Sequence, residues 1–111
     1  MLRRSMPSQP SSRLAAGKQK KFKVRFAINV PKARHVSLAG DFNQWNPEAT
    51  QLEESSAGRW ETTLSLPTGR YEYKFVVDGE WRHDPTAREN IPNQHGSLNS
   101  VIEVTEANRE I

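Results

Sequence analysis

Three tryptophans, a scatter of carboxylates and three histidines are the side chains of this chain that could do chemistry. Trp45 stands in GDFNQWNP between Asn43, Gln44 and Asn46, surroundings that suit a loop better than a strand core. Trp81 follows Asp78-Gly79, the strongest short hairpin signal. In a two-residue turn Val77 faces Glu80 and Val76 faces Trp81, and cross-strand partners share a side of the sheet. Trp81 is thereby predicted on the face of Glu72, Lys74 and Val76, opposite Tyr71, Tyr73, Phe75 and Val77. Trp60 shares its phase with Thr62, Leu64 and Leu66 and is predicted to fill the core. Exposed indoles beside amides and a cation suit a sugar, whose C–H face stacks on the ring while Asn, Gln and Lys bond its hydroxyls. Removing about 100 Å² of apolar area this way contributes roughly 2–3 kcal/mol. The competing reading folds Trp45 and Trp81 down over an end of the domain, as large aromatics usually do. Two such residues outside the core phase, one beside a lysine, favour the binding surface.

Hydrolytic and metal chemistry find less support. Glycoside hydrolysis needs two carboxylates facing each other across a cleft. Glu53 and Glu54 are neighbours in a segment read as loop, and Asp78, Glu80 and Asp84 surround a hairpin. A general acid also needs an environment that tunes it. His35, His83 and His95 lack ligand-like spacing, and neither a phosphate-cradling glycine loop nor a GxSxG elbow is present. No catalytic residue, cofactor or metal is assigned.

The elements that must position these residues are strands. Phe22, Val24, Phe26, Ile28 and Val30 alternate with polar or small residues, and Pro31 ends the run. His35–Ala39 reads as a second short strand, with Val36 and Leu38 on one face. A loop of turn-formers follows from Gly40 to about Gly58. Trp60–Leu66 alternates again, Pro67-Thr68-Gly69 makes a turn, and Tyr71–Val77 is the clearest stripe in the chain. A long loop from His83 to about Leu98 precedes a last strand over Ser100–Thr105. Six or seven short strands with frequent turns and no helical period indicate an all-β fold, an antiparallel immunoglobulin-like sandwich.

With 111 residues there is room for one domain, and no apolar run is long enough to span a bilayer. Cysteine is absent, which removes disulfides and thiolate chemistry. Apolar residues make up 34% and mean hydropathy is −0.82, low for a chain folded throughout. Residues 1–40 hold ten Lys or Arg and no acid, leaving residues 41–111 with a formal charge of −7. Nucleic-acid binders carry positive charge on the folded surface; here it gathers at one end, which argues against that class. A basic arm touching RNA, acidic protein or lipid is the third reading. Residues 1–20, rich in Ser, Pro and Arg, read as a disordered basic tail, residues 21–105 as the domain, and 106–111 as a short tail. The first segment has no secretory apolar region; its composition resembles a transit peptide, although Pro7 and Pro10 interrupt any helix. The expected location is the cytoplasm, with organelle import as the alternative.

VSLAGDFNQW, GRWETTLSLPTGRYEYKFVVDGEWRHDP and GSLNSVIEV occur in this order, and together they resemble carbohydrate-binding module family 48. This family includes the glycogen-binding domain of AMP-activated kinase β subunits and the early-set domains that precede isoamylase and branching-enzyme barrels. The resemblance covers about residues 21–105. It implies an early-set immunoglobulin-like sandwich that binds α-1,4-linked glucan, such as glycogen or starch, without catalysis. Position by position it implies stacking by Trp45 and Trp81 and hydroxyl contacts from Lys74 and Asn99, with Ser97 as a further contact. His95 stands where kinase-type members carry a leucine that wedges into the glucan curve, a departure from the pattern. A glucan-active enzyme or kinase subunit is the further partner implied. The alternative function is a protein-interaction module packed on such a partner, with weak or no sugar binding.

Overall fold

In the computed structural model of the chain, residues 20–106 are described. The tails read from the sequence over 1–20 and 106–111 therefore lie almost wholly outside the described residues. Strand β1 (Lys21–Asn29) buries every second residue and exposes those between, the strict alternation of its sequence. It pairs antiparallel with β4 (Arg59–Pro67), which pairs on its other side with β3 (Glu53–Ser56). The second sheet runs β2 (Val36–Gly40), β5 (Gly69–Val77), β8 (Leu98–Val104), β7 (Glu89–Pro92), with β6 (Glu80–Arg82) also paired to β5. One hydrophobic cluster joins the two sheets, including Phe22, Phe26, Leu38, Trp60, Tyr73 and Phe75. Phe26 and Tyr73 meet across it edge to face, 5.0 Å between ring centres. The all-β, antiparallel two-sheet architecture is the one expected. Trp60 is 8% exposed, in the core as its phase requires.

Three details differ from the sequence reading. The stretch from Gly40 to Gly58 holds a 3-10 turn (Asp41–Asn43) and β3, so Glu53 and Glu54 lie on a strand rather than a loop. Strand β7 likewise interrupts the long loop before Leu98, bringing the strands among the described residues to eight. Both are edge strands with no alternation of their own (EESS and ENIP), held by the neighbours they pair with. In β2 all five residues are buried, not only Val36 and Leu38, because its outer face is covered as well.

β5 positions the site. One edge pairs with β2 along Tyr73–Val77; the other is shared, with β8 along Gly69–Tyr73 and β6 along Phe75–Val77. The handover between β8 and β6 falls at Lys74. Beyond it, Asp84 fastens the segment between β6 and β7 to the sheet. Its carboxylate accepts from Tyr73 OH (2.7 Å) and from the Thr86 N–H and hydroxyl, while its N–H donates to Ser100 Oγ. Burial pushes the Tyr73 phenol far up, and the bond to Asp84 and its charge add to the shift.

The β5–β6 turn is tied by its own first residue. Asp78 and Gly79 take left-handed φ values of 50° and 86°, as a type I′ turn requires. The Asp78 carboxylate accepts from the backbone N–H of His35 (2.8 Å) and Arg34 (3.0 Å), which hold its pKa below the usual carboxylate range. A carboxyl lowered on folding adds stability that is complete above its unfolded pKa and disappears as pH falls through the folded one. Asp78→Asn should therefore melt below the wild type near neutrality, with the gap closing as pH drops below about 4. Melting curves over that range check this; a gap independent of pH contradicts it.

Candidate functional site

The motif GDFNQW assigns one task to each residue. A Cβ on Gly40 would stand 2.6 Å from the Glu72 carbonyl oxygen and 2.8 Å from Tyr73 Cβ, so only glycine allows this approach to β5. Phe42 tucks its ring toward the core beside Phe26 and Tyr71. Asn43 staples the loop: its oxygen accepts from Gly40 N–H, and its amide donates to the Leu38 carbonyl and Thr50 Oγ1. Asp41 joins loop to sheet by accepting the Glu72 N–H (2.8 Å) and the Trp45 indole N–H (3.0 Å). Gln44 and Trp45 both hold φ near +60°, a conformation that costs a non-glycine residue about 1–3 kcal/mol. These hydrogen bonds offset that strain and fix the indole in one orientation.

Trp45 is half-buried, which corrects the expectation of a substantially exposed ring. Its N–H edge is held by the exposed Asp41 carboxylate. Trp81 sits opposite Val76 as the hairpin register requires and is 44% exposed, the one large apolar side chain so exposed among the described residues. Lys74 is 6% exposed, and its ammonium donates to Ser97 Oγ (2.9 Å) across the handover between β8 and β6. Asn99 lies on the same outer face and donates to Glu72 Oε1 (3.0 Å). The Asn93 side chain pins the turn before β8. Its amide donates to Ser97 Oγ and Asn99 Oδ1, and its oxygen accepts from the N–H groups of His95 and Ser97.

Trp45, Lys74, Trp81, His95, Ser97 and Asn99 thus line one open concavity of about 730 Å³. Asp41, Glu72, Asn93 and Gln94 complete it; sequence reasoning placed Glu72 on this face without assigning it to the site and did not single out the other three. Glu72 was within reach, since it shares the outer phase of β5 with Lys74; the role of Asp41 depends on a contact across the fold, and that of Asn93 on bonds within one turn. The arrangement offers an exposed indole beside a fixed one, with amides, a hydroxyl, an ammonium and carboxylates around them. It can stack a ring and bond polar groups at the ring's edge. A larger concavity, about 970 Å³, lies around Arg25, Asp84, Arg88 and Glu103, and no exposed aromatic ring lines it.

Residues 19–110 match the family model described as the glycogen recognition site of AMP-activated protein kinase. The chain is 33% identical over 78 residues to 5'-AMP-activated protein kinase subunit beta-1 of Rattus norvegicus, covering 70% of this chain and 27% of the relative. To subunit beta-2 of Homo sapiens it is also 33% identical, over 70% of this chain and 28% of the relative. It therefore spans little more than a quarter of the length of these relatives. Among solved structures, the maltogenic amylase from S. marinus superposes with a TM-score of 0.66 at 23% identity, over 80% of this chain and 14% of that one. That likeness concerns the fold.

Proposed function

Because the chain belongs to the glycogen-recognition family of AMP-activated protein kinase, a carbohydrate-binding module family, we propose that it binds α-1,4-linked glucan in the concavity between Trp45 and Trp81 and performs no catalysis. The observation that carries this reading is an exposed indole, Trp81, sharing one concavity with a fixed indole and with Lys74, Ser97 and Asn99. Glucose rings of an α-1,4 chain present apolar faces and a rim of vicinal hydroxyls. The faces stack on Trp81 and Trp45. The hydroxyls exchange hydrogen bonds with the Lys74 ammonium, the Asn99 amide and the Ser97 hydroxyl. His95, exposed at the rim, replaces the apolar wedge of kinase-type members with a ring that can both stack and bond.

The binding unit is residues 21–105. Deleting residues 1–20 should leave glucan affinity and melting temperature unchanged; a drop of more than a few degrees, on the order of 1 kcal/mol, would count against that boundary. Retention on glycogen or amylose beads, released by free maltoheptaose, tests the function. Failure of the folded protein to be retained would favour the second reading, a module that packs on a kinase or glucan-active enzyme. That reading draws on the kinase subunits among the relatives.

A further inference from the structure

The charges around the concavity bear on which glucan it accepts, an inference that rests on the glucan reading above. Two carboxylates, Asp41 and Glu72, line it with one ammonium, Lys74, and the His95 imidazole. Both Asp41 oxygens are engaged within the protein, by the Trp45 indole and the Glu72 N–H. Glu72 receives the Asn99 amide at Oε1 and lies two residues before Lys74 on the same face of β5. Arg70, the next cation along that face, is held by Glu89 through two hydrogen bonds of 2.9 and 3.1 Å. Lys74 is therefore the ammonium of the concavity, and it is outnumbered by carboxylates. A hydroxyl satisfies both signs, because it accepts from Lys74 and donates to Glu72. A phosphate, sulfate or carboxylate substituent only accepts; it would give up its hydration to face Glu72 and Asp41.

We infer that Glu72 and Asp41 make the site selective for uncharged glucan and exclude anionic glycans. They act by repulsion, the element of specificity that attractive contacts alone do not supply. The test compares maltoheptaose with maltoheptaose whose hydroxymethyl groups are all oxidised to carboxylates, titrated by calorimetry at low and high salt. The oxidised sugar should bind about tenfold more weakly at low salt, with the gap narrowing at high salt as the repulsion is screened. Glu72→Gln keeps the oxygen that Asn99 donates to and removes one charge. It should narrow the low-salt gap to about threefold. Equal or tighter binding of the oxidised sugar overturns the inference. So does a gap that neither salt nor Glu72→Gln changes, since that pattern reports only the lost hydroxyls. If neither sugar binds the folded wild type, the glucan reading itself falls and the inference falls with it.

Discussion

Trp60→Ala should cost the domain about 3–5 kcal/mol, the range for removing a large aromatic from a core. Trp60 is 8% exposed on β4, paired with Ile28 of β1 and Glu54 of β3, and belongs to the cluster that joins the sheets. A domain of this size has roughly 5–15 kcal/mol in total, so the variant should express poorly or melt far below the wild type. A second substitution separates volume from polarity. The Trp60 indole N–H is buried with no acceptor among the described residues, and an unmade buried hydrogen bond costs about 1–3 kcal/mol. Trp60→Phe deletes that donor along with part of the ring and should be much milder than Trp60→Ala. Denaturant titrations of the two variants check this. A Trp60→Ala protein that stayed fully stable and lost only sugar binding would reverse the assignment of the tryptophans.

Trp81→Ala should behave in the opposite way. The ring is the exposed member of the pair and stands on a hairpin whose turn is fixed by Asp78 and Gly79, not by the indole. Circular dichroism and melting temperature should therefore be nearly unchanged. Maltoheptaose affinity should fall by about 2–3 kcal/mol, the contribution of roughly 100 Å² of stacked apolar area. That corresponds to about 30- to 150-fold in Kd, enough to end retention on glycogen. Full-strength binding by the variant would remove Trp81 from the site.

The contrast between these two tryptophans was legible in the sequence because period-two alternation and a two-residue turn set strand register without any tertiary information. β1 alternates cleanly; β5 alternates in sequence from Tyr71 to Phe75, although both of its faces are buried from Tyr73 to Val77, and Asp78-Gly79 ties the phase of β6 to that of β5. β3 and β7 were not legible: EESS and ENIP carry no alternation, and only the ladders to β4 and β8 make them strands. The depth of Trp45 was hidden for a similar reason. Its indole N–H is held by Asp41, a bond that spacing along the chain does not reveal. Asn93 was missed because its role lies in four hydrogen bonds made across a turn, and Asn in a loop reads from sequence as turn chemistry alone.

The central claim is that the concavity of Trp45 and Trp81 takes up α-glucan by stacking and neutral hydroxyl bonds. Calorimetric titration of the wild-type protein with maltoheptaose, at low and at high salt, tests it most directly. The account predicts saturable binding whose Kd changes little with salt, because no counterions are released when a neutral sugar binds. Absence of saturable binding by the folded protein, or binding that collapses in high salt, would contradict it.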